Sequence, residues 1–311
     1  MGRSTGLAGR AAATADTPRR GRTTPSEAPD PARSTRDEAP DPARSTLDEA
    51  PDPASDSAPN ALDDAAARVR DTLEEVFLAV AATGADTSDL LAGLAGAGRE
   101  PRASDLTALR PGLRARLDSH PLVSGVGFVA APGLLGDVPG WLEWWQRGPG
   151  GAVRPLLLDL DPEHSAYSDY THWDWYTLPR ETGSRAVAGP YVDYLCSDEY
   201  SLTLSAPVTL DGRFVGVAAA DVYLRHFEAA VLPVLQRLPA PARLVNARGR
   251  VAASTDPAHL VGSLTKGPDF GAVLAGPPAE HRAEGGLRLL PCSGTPLVLV
   301  TAQSAAESAE D

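Results

Sequence analysis

The sequence predicts an α+β domain built on a central antiparallel sheet and led by a long N-terminal helix. Three observations predict it. Apolar residues step by four and three through residues 62–80. From His120 onward the apolar period switches to two, in short segments bounded by turn residues. Neighbouring segments are joined by hairpin signals, with helical patterns confined to the start and to the stretch after Tyr223.

Taken in order, residues 1–60 are rich in Ala, Pro, Asp, Arg, Ser and Thr. An eleven-residue unit recurs there: residues 27–37 read EAPDPARSTRD, residues 38–48 read EAPDPARSTLD, and Glu49 begins a third copy. Each unit holds two prolines and almost no large apolar side chain, so stacked copies would bury nothing. A disordered repeat tail is expected, with a solenoid as the weaker competitor. Order should begin near Asn60, a residue suited to an N-cap. Leu62, Ala66, Val69, Leu73, Val76 and Val80 then share one helical face, which packs on its own domain or, as the competing reading, on a second copy in a homodimer. Gly84 is expected to end that helix, with shorter helices over 88–95 and 104–117 completing a helical lead-in over 61–118.

Residues 119–303 form the expected sheet core of a single domain spanning 61–303, and 304–311 a disordered end. Strands are expected over 123–131, 140–147, 153–160, 185–194, 201–209 and 214–223, with Asp211-Gly212 as a hairpin turn. A helix over 224–238 follows, then strands over 242–245 and 251–254 around Arg248-Gly249, and a closing strand over 297–302.

Composition narrows function. The 311 residues carry a net charge of −13 without a basic stripe, which argues against nucleic acid as a partner. No window approaches 18 uninterrupted apolar residues, and no continuous apolar stretch follows the N-terminal arginines, so the sequence suggests a cytoplasmic protein with no membrane partner. Cys196 and Cys292 are too few for a disulfide framework or a zinc site. Asp161, His164, Asp169 and His172 match no metal-ligand spacing, no G-x-S-x-G occurs, and the glycines flanking Pro149 read as a turn. Cys196 has acidic neighbours and reads as inert. No cofactor is implied.

The chemistry concentrates between residues 141 and 200. All five tryptophans lie there with Tyr167, Tyr170, Tyr176, Tyr191, Tyr194 and Tyr200, among ten carboxylates, four arginines and no lysine. Ring faces attract an ammonium by about 0.5–2 kcal/mol each, and a carboxylate adds a charge-assisted hydrogen bond, so the mixture suits a cationic guest. Filling a sheet-to-loop interface is the plainer role for any single ring. Asp193, in AGPYVDY, shares a strand face with Tyr191, and Asp221 ends the apolar strand GVAAADV. A buried carboxylate must meet a donor, whether a backbone cap, an arginine or a ligand amine.

Residues 174–222, DWYTLPRETGSRAVAGPYVDYLCSDEYSLTLSAPVTLDGRFVGVAAADV, resemble the sensing core of Cache domains, the PAS-like small-molecule sensor superfamily. The resemblance implies a long N-terminal helix, a central antiparallel sheet and a pocket on one sheet face under a mobile loop. In amino-acid-binding members an Arg-x-Trp-Tyr string, a Tyr-x-Asp and a later strand-borne Asp line that pocket. By resemblance these map to Trp175 and Tyr176, to Tyr191 and Asp193, and to Asp221. The aspartates would hold a ligand amino group under the aromatic side chains. The position of the carboxylate-binding arginine is Trp173, and the tyrosine expected five residues earlier is Ser168. Loss of that guanidinium tilts the expectation toward an amine or quaternary ammonium, with amino acids kept open through Arg180 or Arg185. The expectation is therefore a non-enzymatic sensor of an amine-bearing small molecule, signalling through a separate regulatory protein. Two alternatives remain: an enzyme using Asp193 and Asp221 as acid and base, and an interaction module using the long helix.

Overall fold

The computed structural model describes residues 61–194 and 199–302. The predicted repeat tail, Cys196 and the predicted disordered end lie outside the described residues.

Helix α1 (Ala61–Gly96) is a single continuous helix. Its predicted apolar stripe, Leu62, Ala66, Val69, Leu73, Val76 and Val80, is buried within the domain's own core. That stripe is consequently not a dimer surface. The helix also runs straight through Gly84, contrary to expectation. The face around Gly84 is seated on the sheet, where a Cβ would meet Ala218 and Val208 at 3.7 and 3.8 Å. The buried hydroxyls of Thr83 and Thr87 donate to the carbonyls of Ala79 and Thr83, each at 2.8 Å. Packing over a full face outweighs the glycine's helix penalty of about 1 kcal/mol.

A 3-10 turn (Asp105–Leu109) and helix α2 (Arg110–Ser119) lead to strands β1 (Gly125–Ala130), β2 (Leu142–Arg147) and β3 (Val153–Pro155). Helix α3 (Asp174–Thr182) was not anticipated; β4 (Ala186–Asp193), β5 (Glu199–Leu210) and β6 (Arg213–Tyr223) follow it. These strands form one antiparallel sheet in the order β3-β2-β1-β6-β5-β4. The β5–β6 hairpin turns on Asp211 and Gly212, both at positive φ (51° and 76°), as the Asp-Gly pair predicted.

The chain continues through α4 (Leu224–Leu235), β7 (Ala242–Asn246), β8 (Val251–Ser254), α5 (Phe270–Ala275), β9 (His281–Ala283), β10 (Leu287–Pro291) and β11 (Leu297–Ala302). A second antiparallel sheet, ordered β8-β7-β11-β10-β9, results. The sequence reading had one central sheet and missed β9 and β10, which are short and carry Arg282 and Arg288. One core joins the α1 stripe to a face of each sheet: Phe128, Leu202, Leu204 and Val222 from the first, Leu244, Ala252, Leu290 and Leu299 from the second.

Side chains alternate across a strand, so the first sheet's other face is a separate surface. There Val129, Trp144, Val217 and Ala219 pack with Tyr170 and Tyr176 from the long β3–α3 connection and α3. That second face holds the candidate site.

Candidate ligand-binding site

Strand register sets the floor. Gly125 and Thr203 stand opposite Asp221 on its two neighbouring strands. All three side-chain directions therefore point to the face away from α1. The main chain at Asp221 is pinned by Ser124, whose N–H and hydroxyl both donate to the Asp221 carbonyl at 2.8 and 2.9 Å. On the other side of β5, Ala188 opposes Thr203 while Tyr191 opposes Ser201, so Gly189 and Pro190 form a bulge of one extra residue. The bulge keeps Tyr191 and Asp193 on the site's face. Only glycine suits its first position: φ is 110°, and a Cβ would lie 2.7 Å from the Ser201 carbonyl oxygen.

The walls are aromatic. Gly125 and Gly127 leave bare backbone on this face, and the Trp144 indole lies across it, with Nε1 2.8 Å from a Cβ placed on Gly125 and Cε3 2.8 Å from one placed on Gly127. Trp144 Nε1–H is buried and has no acceptor among the described residues. Tyr170 reaches over the sheet and donates to the Ala130 carbonyl at 2.8 Å. Trp173, the N-cap residue of α3, sets its ring 6.2 Å from that of Tyr191. Residues 153–160, expected as one strand, leave the ladder after Pro155, and Leu156 and Leu158 close the rim.

Trp173, Trp175, Tyr191, Asp193 and Asp221 all line one cavity of about 50 Å³, together with Trp144, Tyr170, Thr203 and apolar neighbours. That is room for a few water-sized groups. Tyr176, expected in the wall, is instead fully buried behind it. Its ring meets those of Tyr170, Phe214 and Trp175 edge-on at 5.3, 5.8 and 6.0 Å, so it props the cage rather than lining it. The helical turn from Trp173 to Tyr176 separates the two: adjacent residues on α3 lie about 100° apart, so Trp175 lines the cavity while Tyr176 turns into the packing behind it. Burial pushes the Tyr176 phenol up to about 12 and holds that of Tyr170 above its ordinary range.

The cavity's electrostatics centre on Asp221. Burial first, then the charge of Asp193, push its carboxyl up to about 7, against the lowering effect of the Thr203 hydrogen bond. Thr203 Oγ1 donates to Asp221 Oδ1 at 2.6 Å, and the Tyr191 hydroxyl sits 2.5 Å from the same Thr203 oxygen. A threonine hydroxyl has one hydrogen, and here it is spent on Asp221; the Tyr191 phenol therefore donates to Thr203. Among the described lining residues there is no arginine, lysine or histidine. The two arginines kept open for a carboxylate are engaged elsewhere: Arg180 with Glu181 at 3.1 Å, and Arg185 with both Glu74 oxygens at 2.7 and 2.5 Å. A ring-walled hollow with two carboxylates can receive a cation and strip part of its water.

Trp144 and Tyr170 belong to the expected aromatic cluster without being singled out for the pocket, and Thr203 is a lining residue that the sequence analysis did not name. Thr203 had a readable signal, lying eighteen residues before Asp221 across a predicted hairpin. Trp144 had a weaker one in the bare Gly125 and Gly127 of a neighbouring strand. The residues weighed for a metal site form separate exposed pairs, with His164 at 3.1 Å from Asp159 and 3.6 Å from Asp161, and His172 at 3.6 Å from Asp169. Among the described residues no three His, Cys, Asp or Glu side chains converge to hold a metal ion.

Residues 158–229 match the family model described as methyl-accepting chemotaxis protein-like, first PDC sensor domain. The match spans every expected site residue. The fold is that of a Cache-like, or PDC, sensor domain. A structure of Methyl-accepting Chemotaxis protein X aligns over 77% of this chain and 96% of its own, at 18% identity and a TM-score of 0.51. The sensory domain of the chemoreceptor Tlp3 of Campylobacter jejuni aligns over 79% of this chain and 92% of its own, at 16% identity and a TM-score of 0.51. In sequence, this chain is 31% identical over 107 residues to methyl-accepting chemotaxis protein TlpQ of Pseudomonas aeruginosa. That alignment covers 33% of this chain and 15% of TlpQ. Similarity to chemoreceptors points away from the cytoplasmic location suggested by the sequence. By length and composition alone α1 could cross a membrane, with an 18-residue window at a mean hydropathy of 1.2, a test that buried core helices also pass. Its apolar stripe nonetheless lies in the domain's hydrophobic core.

Proposed function

We propose that residues 61–303 are a single sensor module that binds a small amine-bearing cation in the cage and signals through a separate partner. Trp173, Trp175 and Tyr191 would pack against the guest, with Trp144 and Tyr170 beneath it. Asp193 and Asp221 would neutralise its charge. One observation carries the reading: two buried carboxylates line the same small, ring-walled cavity, and its described lining contains no cation. Asp221 is held in low dielectric beside Asp193, and a bound ammonium would relieve the cost of its charge. The same desolvation that raises the Asp221 carboxyl makes an ammonium a stronger partner there than water is.

A thermal-shift screen of primary amines, quaternary ammonium salts, α-amino acids and amine-free carboxylates tests the reading. A ligand at 100-fold its Kd adds about 2.7 kcal/mol of stability, which is several degrees in a domain of this size. Responses from the amine-bearing compounds are expected. A response confined to amine-free carboxylates would overturn the proposal. Recovery of the ligand unchanged after long incubation separates a sensor from an enzyme acting on amines.

A further inference from the structure

Strand β4 ends the first sheet. One side of it pairs with β5, and among the described residues no strand pairs with the other. In such a strand the backbone groups of alternate residues turn away from the ladder. Ala186, Val187 and Ala188 make no backbone hydrogen bond outside the β4–β5 ladder among the described residues. Sheets commonly close an edge of this kind with a covering element, a charge or a bulge. Here the bulge comes only at Gly189 and Pro190, where Asn246 Nδ2 donates to the Gly189 carbonyl at 3.0 Å. The three residues before it stay open.

That open edge faces a groove made of two adjoining hollows. Arg185, Ala186 and Val187 line the first, and residues 187–191 line the second. Leu178, Val187 and Pro296 belong to both, so the groove is continuous along β4. Its facing wall comes from the second sheet: residues 294–296 beside the first hollow, the β7–β8 turn beside the second. Leu178 and Leu264 keep 39% and 62% of their surfaces exposed there, apolar area with nothing covering it.

Charge selects the guest. In the first hollow Arg185 is already held by Glu74 at 2.7 Å. The second contains Arg248 and Arg250, with Asp174 as the one carboxylate of its described lining. Arg248 is exposed, and its guanidinium makes no ion pair among the described residues. Arg250 spends one N–H on the Gly262 carbonyl at 2.7 Å and stacks 5.8 Å from the Tyr200 ring, also without a carboxylate. Two uncompensated guanidinium groups in a chain of net charge −13 call for an acidic partner. A second copy of this chain would instead set −13 against −13.

We propose that the β4 edge is a docking site for a second protein, which adds one extended, acidic segment to the sheet. Main-chain hydrogen bonds to residues 186–188 supply affinity. An acidic side chain toward Arg248 and apolar ones toward Leu178 and Leu264 supply selectivity.

A phage-displayed library of random nine-residue peptides, selected on the full chain, provides the probes, and fluorescence anisotropy measures their affinities. The enriched peptides should carry Asp or Glu and bind Arg248→Glu about tenfold more weakly, while Arg213→Glu, exposed at the β5–β6 turn, changes nothing. The Arg248 side chain supports no other described contact, so the variant should fold. Methylating every second peptide nitrogen should abolish binding in one of the two alternate sets and spare it in the other, because only one edge of the guest strand meets β4. No enriched peptide, indifference to Arg248→Glu, or equal loss in both methylated sets overturns the proposal. So does self-association of the protein that Arg248→Glu abolishes, because the occupant would then be a second copy. The titration needs no cage ligand, so it succeeds or fails apart from the amine reading.

Discussion

Thr203 stands directly opposite Asp221 in the β5–β6 ladder and donates its hydroxyl to Asp221 Oδ1 at 2.6 Å. The Tyr191 phenol backs this donor from the next strand, so three strands converge on one carboxylate. That carboxyl is still pushed up to about 7, because one hydrogen bond does not offset burial beside Asp193.

Stability should therefore fall as pH rises. The folded Asp221 carboxyl holds its proton up to about pH 7, whereas the unfolded chain releases it near 3.8. Between those values the native state binds the extra proton, so the unfolding free energy declines by a few kcal/mol and levels off above pH 7. Burial lowers the pKa of His226, which contributes the opposite slope. Urea unfolding of wild type minus Asp221→Asn isolates the Asp221 contribution; a difference that stays constant from pH 4 to pH 8 would contradict it.

At pH 8, Asp221→Asn should unfold at higher urea concentration than wild type, by about 1 kcal/mol or more, because a desolvated charge is replaced by a neutral group of the same shape. The same variant should lose amine affinity by about a hundredfold. Greater stability with lost binding is the signature of a charge kept for a ligand; lower stability at pH 8 would mark Asp221 as structural.

Thr203→Val keeps the shape and removes the donor. It should raise the Asp221 carboxyl further and weaken amine binding at pH 7 by about tenfold, while Thr203→Ser retains affinity. Calorimetry on the two variants decides, and indistinguishable affinities would contradict the role given to Thr203.

A Cβ at Gly127 would sit 2.3 Å from the Glu143 carbonyl and 2.8 Å from the Trp144 backbone and ring. Gly127→Ala should thus cost about 1–3 kcal/mol and displace the indole from the cage floor. Urea unfolding measures the first effect and tryptophan fluorescence the second; an unchanged spectrum with native stability would contradict the close approach.

Much of this was legible from periodicity. The α1 stripe, the Asp211-Gly212 hairpin and the apolar strand that Asp221 ends lie in the pattern of apolar residues, whereas Asp193 reaches the face of Asp221 through the Gly189-Pro190 bulge, which that pattern does not announce. Tyr176 was misjudged because residues 174–182 hold Pro179 and little apolar bulk, so nothing local announces a helix there. The break expected at Gly84 was a propensity argument overruled by tertiary packing. The second sheet's extent was hidden for a related reason: β9 and β10 are edge-side strands whose alternation is interrupted by Arg282 and Arg288.

The central claim is that a positively charged guest quenches the buried carboxylates. Titrating n-pentylamine into the protein at pH 6, in buffers of different ionisation enthalpy, tests it most directly. The cage predicts release of about one proton per amine bound, as the guest drives ionisation of a mostly protonated Asp221, and no such release in Asp221→Asn. Amine binding with no proton released from wild type would contradict it.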